Sequence, residues 1–135
     1  MGDEESGDAA YTSAVRLPKA HGDPYLGKVV MLIDENAQSQ AEHTCLFFEA
    51  ATKVTFIGTP TAGANGTVTK IAIPGNMTIQ FTGLGVRHAD GRQLQRLGIQ
   101  PDIRVEPSVH GIAAGKDEIL AAAMDYLEKT VPPSH

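Results

Sequence analysis

Apolar positions in this chain fall into short runs with two different periods. Val29-Val30-Met31-Leu32-Ile33-Asp34 is almost continuously apolar, the pattern of a strand covered on both faces in a parallel sheet. A helix is predicted next, from about residue 38 to residue 51, and then a second β-branched run, Lys53-Val54-Thr55-Phe56-Ile57-Gly58. Strand, helix and strand in that order predict a βαβ unit, with the strands parallel and the crossover right-handed. Downstream the period becomes two. Residues 67–73 and 77–82 alternate on either side of Pro74-Gly75-Asn76, which reads as a hairpin. A second turn, Asp90-Gly91, separates Val86-Arg87-His88 from Arg92-Gln93-Leu94-Gln95. The stretch from Gly98 through Pro101 and Asp102 to Ile103 reads as rigid and extended. A final helix is predicted over about 116–129, with Leu120, Ala123, Met124 and Leu127 on one face and Pro132-Pro133 past its end.

Residues 1–27 lack sustained periodicity and are rich in Gly, Asp, Ser, Pro and Ala, so a flexible N-terminal segment is expected there. Residues 28–131 form the structured part, and 132–135 a tail. A chain of 135 residues suits one domain and is too short for two comfortable ones. Net charge is −5 and no basic stripe occurs, which argues against nucleic acid as a partner. No apolar run is long enough for a membrane segment. The opening Met-Gly-Asp-Glu-Glu-Ser-Gly-Asp is the reverse of a secretory leader. Cys45 is the sole cysteine, so no internal disulfide can form, and its place in the apolar part of a helix predicts a buried thiol. The five histidines are scattered and no metal-ligand spacing occurs, so neither a metal nor a cofactor is expected.

The residue with most chemical promise is Ser39, at the corner where the first strand gives way to the helix. Free amides and the helix dipole at such a corner favour negative charge, which suits a nucleophile whose reaction builds an oxyanion. A plainer reading competes with it. Ser39-Gln40-Ala41-Glu42 also fits the S-x-x-E capping box, in which both side chains satisfy amides at a helix start. On local sequence alone the cap is favoured.

The company Ser39 keeps changes that balance. In order come the apolar strand, Ser39-x-x-Glu42, the strand ending Ile57-Gly58, the loop Thr61-Ala62-Gly63, the hairpin, Asp90-Gly91, and Gly98-Ile99-Gln100-Pro101-Asp102. That succession resembles the C-terminal processing (tail-specific) serine peptidases and their tricorn-core relatives, over roughly residues 28 to 129. The resemblance implies an α/β fold, a ClpP/crotonase-like spiral of ββα units, with a β-hairpin region and a C-terminal helix. It implies Ser39 as the acyl-forming nucleophile and the Gln40 amide as an oxyanion donor. Thr61, Gly63 and Ala64 would belong to the loop beside the substrate, and the substrate would be a peptide or protein.

Two departures from the family pattern stand out. The processing peptidases place a lysine directly after the glycine of the Thr-x-Gly loop, and here that residue is Ala64. Lys70 would reach the site only if the loop were rearranged. The tricorn-like branch uses a histidine from the preceding half of the domain, oriented by an acid whose position matches Gln95. A glutamine can accept an imidazole N–H but cannot stabilise imidazolium as a carboxylate does. The preceding half, with its Asp-x-Arg-x-Asn-x-Gly-Gly segment, is not recognisable in this sequence. The chain therefore resembles the C-terminal half of a catalytic domain, expected to be inactive alone.

Local histidines offer little. His43 lies four residues after Ser39 on the same helical face but would reach a cap hydroxyl poorly, and His88 reads as a solvated hairpin residue. His21, His110 and His135 read as incidental. A non-catalytic ligand- or peptide-binding module on the same fold is the alternative, since some relatives of this fold hold apolar ligands. Half a spiral domain would leave apolar surface and a sheet edge uncovered, so homo-oligomers are expected. The compartment is not legible; relatives are often exported, so the parent would be periplasmic or extracellular by resemblance.

Overall fold

The computed structural model describes residues 13–130, apart from 18 and 20. Eight elements follow in the order β1 (Val29–Ile33), α1 (Gln40–Ala51), β2 (Val54–Gly58), β3 (Val68–Ile73), β4 (Met77–Thr82), β5 (Ile103–Arg104), α2 (Val109–Ala113) and α3 (Glu118–Thr130). The fold is mixed α/β. Within 13–27 the described residues form no helix or strand; residues 1–12 of the expected N-terminal segment, and the whole expected tail 132–135 with Pro132-Pro133, lie outside the described residues.

The expected parallel pair forms, with Val29 opposite Val54 and Ile33 opposite Gly58. β5 adds to the other edge of β2 in parallel, giving the order β1-β2-β5. Period-two alternation divides this small sheet between two layers. Ile33 and Phe56 join Cys45 of α1 with Leu94 and Ile99 in the buried core, with Met31, Leu46, Val54 and Val86 packed around them. Thr55 and Ile57 alternate with that set, and the Thr55 hydroxyl lies 3.1 Å from the Tyr126 hydroxyl of α3. Helix α1 and the 86–99 segment thus cover one face and α3 the other. Coverage is incomplete, since Leu32 of the outer strand remains exposed.

Helix α3 packs on a face rotated from the expected one. Ala123 is buried and Ile119, Tyr126 and Leu127 are half-buried, whereas Leu120 and Met124 are exposed. The Tyr126–Thr55 contact lies on this face, about one residue around from the Leu120 stripe. Short helix α2 is not predicted by periodicity. Its sign is local: Ser108 caps it, accepting from the Gly111 amide at 2.9 Å, while Glu118 accepts from both the amide and the hydroxyl of Ser108. The Ser108 amide holds the Glu118 carboxyl below its ordinary range, with its hydroxyl and the nearby Lys116 charge helping.

The Gly98–Asp102 stretch locks onto β2 from outside. The Asp102 amide donates to the Phe56 carbonyl at 2.8 Å, and its carboxylate accepts from the Phe56 amide at 2.8 Å. At Gly98 the backbone has φ 70°, and a Cβ there would stand 2.3 Å from the Thr61 carbonyl oxygen. Both the conformation and the close approach require glycine. Gly98→Ala should therefore lower stability by about 2 kcal/mol or more in urea denaturation. A loss within about 0.5 kcal/mol would show that the 61 and 98 backbones can move apart freely.

Candidate active site

The site grows from the turn between β1 and α1. The Asp34 carboxylate accepts from the amides of Asn36 (2.9 Å) and Ala37 (3.2 Å), bending the chain just after the strand. The bent segment then pairs with the glycine loop. The Ala62 amide donates to the Ala37 carbonyl at 3.0 Å, and the Ser39 amide to the Ala64 carbonyl at 3.1 Å. This brackets Ser39 in an unusual conformation, φ 52° and ψ −112°, which is the glycine-preferring position of a type II′ turn. A side chain held there stores strain of the kind that clusters at functional corners.

The capping box does not form. Ser39 makes no side-chain hydrogen bond to its helix, and its residue is exposed. Glu42 goes elsewhere. It is fully buried, and its Oε1 accepts from the Thr61 hydroxyl at 2.6 Å and the Gly63 amide at 2.7 Å, while Oε2 accepts from the Ala64 amide at 3.0 Å. Thr61 extends the chain of bonds, its hydroxyl oxygen accepting from the Ile99 amide at 2.8 Å. One carboxyl on the first turn of α1 thereby ties the glycine loop to the helix and, through Thr61, to the Gly98 stretch. A buried acid without partners would cost several kcal/mol; here three donors meet it.

Around Ser39 the other candidate residues fall as follows. Gln40 opens α1, so its amide is one that the helix itself cannot satisfy. Gly63 and Ala64 line an open cavity of about 360 Å³, together with Asn65, Gly83, Gln95 and Arg96; Ser39 and Gln40 are not part of its lining. Thr61 is buried beneath that loop rather than facing the cavity. Gln95 commits its amide to the backbone. Its Nε2 donates to the carbonyls of Asn65 (2.7 Å) and Leu84 (2.8 Å), and its Oε1 accepts from the Val86 amide at 3.2 Å. It braces the cavity wall, joining the glycine loop to the end of the hairpin. Lys70 lies on the hairpin, and the pairing partner of its residue is Gln80.

Two histidines have definite partners that sequence reasoning missed. His43 Nδ1 lies 3.2 Å from the Asn65 amide oxygen. An amide oxygen accepts, so Nδ1 is the donor in this pair. The amino group of Asn65 is buried and has no acceptor among the described residues. His88 is not a solvated hairpin residue: it is buried, with Nδ1 2.6 Å from Glu49 of α1. Glu49 also accepts from Arg92 at 2.7 Å, and Arg92 pairs with Asp90 at 2.6 Å. The hydrogen bonds from Arg92 hold the Asp90 carboxyl below its ordinary range, and those to Asp90 and Glu49 raise Arg92 in return. This network fixes the Asp90-Gly91 turn to the back of α1, away from Ser39. Cys45 is buried as expected; burial foremost, and then the Glu42 charge, pushes its thiol up. Among the described residues no cluster of His, Cys, Asp and Glu is placed to hold a metal ion.

Comparison with protein-family models matches residues 3–105 to peptidase family S41. The chain belongs to that family. Comparison with the curated proteins returned no match. Among solved structures, a candidate peptidase from Parabacteroides merdae superposes on 87% of this S41 chain and 38% of its own, at 22% identity and a TM-score of 0.76. The tricorn protease matches 75% of this chain and 10% of its own, at 25% identity and a TM-score of 0.61. Mature CPAF complexed with lactacystin matches 76% and 19%, at 24% identity and a TM-score of 0.56. The S41 chain thus spans 38% or less of the length of these three structures.

The geometry leads to two expected outcomes. Because Ser39 caps nothing and sits in a glycine-like conformation, Ser39→Ala should leave stability within about 0.5 kcal/mol. Ser39→Gly should raise it by about 1 kcal/mol, strain relief exceeding the added chain entropy. Losses of about 1 kcal/mol in the alanine variant, read from urea curves, would restore the cap reading. Glu42→Gln, which sets an amino group against backbone donors, should lower stability by about 2 kcal/mol in the same measurement. An unchanged midpoint would mean that the loop holds itself.

Proposed function

We propose that this chain carries the nucleophile-bearing part of a serine peptidase, cleaving peptide bonds through an acyl-enzyme at Ser39. The observation that carries this reading is the corner itself. The Ser39 hydroxyl is exposed, strained and uncapped, while the glutamate that could have completed a cap builds the neighbouring loop instead. In the reaction Ser39 Oγ attacks the scissile carbonyl carbon and gives its proton to a base. The carbonyl oxygen becomes an oxyanion that accepts from the Gln40 amide. Collapse expels the protonated amine, and water then releases the acyl group by the same route. The extended substrate lies along the glycine loop, with Gly63 and Ala64 leaving room for it and pairing as an added strand.

The fuller assignment is that residues 28–131 are the C-terminal half of a tail-specific or tricorn-like catalytic domain with the spiral ββα fold. Its length against the solved relatives supports that division. Ala64 removes the lysine base of the processing branch, so the base comes from another part of the domain, and the chain alone turns over peptides feebly. Gln95, at the position of the orienting acid, here steadies the cleft wall. A non-catalytic binding module is the second reading, favoured by Ala64 and by a Gln95 amide fully engaged with backbone.

A fluorophosphonate probe with mass spectrometry tests the assignment. In a longer S41 chain containing this segment, stoichiometric labelling at Ser39, absent in Ser39→Ala, is the expected result. No labelling, with peptide still bound, would establish the binding module. Robust casein turnover by the 135-residue chain alone, lost in Ser39→Ala, would refute the half-site part of the proposal.

A further inference from the structure

The hairpin β3–β4 divides its residues cleanly between two faces. Directly paired residues on antiparallel strands share a face. Ile71 pairs with Ile79, Ile73 with Met77 and Thr69 with Phe81, so one face is apolar except for a threonine. Lys70 with Gln80, Ala72 with Thr78 and Val68 with Thr82 make up the other. Such alternation belongs to a sheet whose apolar face rests on a core. Among the described residues nothing covers this one: Ile71 is 47% exposed, Met77 57%, Ile79 50% and Phe81 46%.

We infer that this face is a self-association surface, and that its occupant is the same face of a second copy of this chain. Three observations favour a copy. The face carries no charge and almost no hydrogen-bonding group, so nothing on it selects a polar or charged partner. Residues 50–89 contain no Asp or Glu, so neither hairpin strand brings an acidic side chain to the contact. The available area also suffices. Half-exposed Ile71, Met77, Ile79 and Phe81, with Ile73 beside them, offer on the order of 500 Å² per copy, and two copies reach about 1,000 Å², the lower bound of a specific interface. A two-fold arrangement stacks the sheets face to face, with the Ile71–Ile79 pair meeting its own image at the centre. Association is accordingly weak, in the micromolar range. It does not depend on the chemistry at Ser39.

Sedimentation equilibrium on the 135-residue chain, over a series reaching high micromolar concentration, tests the inference. A reversible dimer is expected. Ile79→Lys, on the apolar face, should raise its dissociation constant at least about tenfold, equivalent to 1.4 kcal/mol. Gln80→Lys, next in sequence but on the opposite face, should change it less than about twofold. Circular dichroism should show both variants folded, since each replaces an exposed side chain. As a second reading of the same contact, Ile79→Cys should give a disulfide-linked dimer on mild oxidation, against a low background because Cys45 is buried. Gln80→Cys should not. A monomer at every concentration would overturn the inference. So would association that Ile79→Lys and Gln80→Lys affect equally, because the contact would then lie elsewhere.

Discussion

The carboxyl of Glu42 is the point on which this site is hung. It is fully buried on the first turn of α1, and its three accepted hydrogen bonds come from Thr61, Gly63 and Ala64, about twenty residues further along the chain. Those bonds hold a loop of small residues that has little side-chain packing of its own. The loop in turn holds Ser39, because the Ala64 carbonyl receives the Ser39 amide and the Ala37 carbonyl receives the Ala62 amide. A strained φ of 52° at Ser39 persists only while its surroundings over-determine it, and the rigidity supplied through Glu42 provides that condition. The same side chain that would make an ordinary helix cap has been turned inward, and the serine left free.

That inversion marks the boundary of what could be read from sequence. Periodicity sufficed for the parallel pair β1–β2, for α1 and for the hairpin, because each rests on local patterns of apolar residues and turn chemistry. The signature Ser39-x-x-Glu42 could not be resolved locally, since a capping box and a nucleophile corner present the same letters. Which one forms depends on where the glutamate finds donors, and those donors are distant in sequence. His88 failed for the same reason: a hairpin histidine reads as solvated until Glu49 of α1 is seen 2.6 Å away. Gln95 was legible as a polar residue near the site, but its bonds to Asn65, Leu84 and Val86 are purely tertiary. The rotation of α3 by about one residue likewise rests on tertiary packing, Tyr126 against Thr55 included, which no periodicity encodes.

The sheet of this S41 chain is only partly enclosed. The chain spans 38% of the length of the Parabacteroides merdae structure it superposes on. Leu32 on the outer strand, Leu120 and Met124 on α3, and the apolar side of the hairpin are all exposed, although their patterns are those of covered elements. The well-built part of the molecule is the small core around Ile33, Cys45, Phe56, Leu94 and Ile99, directly behind the Ser39 corner. Order is thus concentrated where the candidate chemistry lies.

Amide hydrogen exchange by NMR addresses that organisation directly. If Glu42 holds the loop, the amides of Gly63 and Ala64 should exchange as slowly as those of β2, and Glu42→Gln should release both together while β2 stays protected. Exchange of Gly63 and Ala64 at rates ordinary for a surface loop, unaltered by Glu42→Gln, would contradict the account.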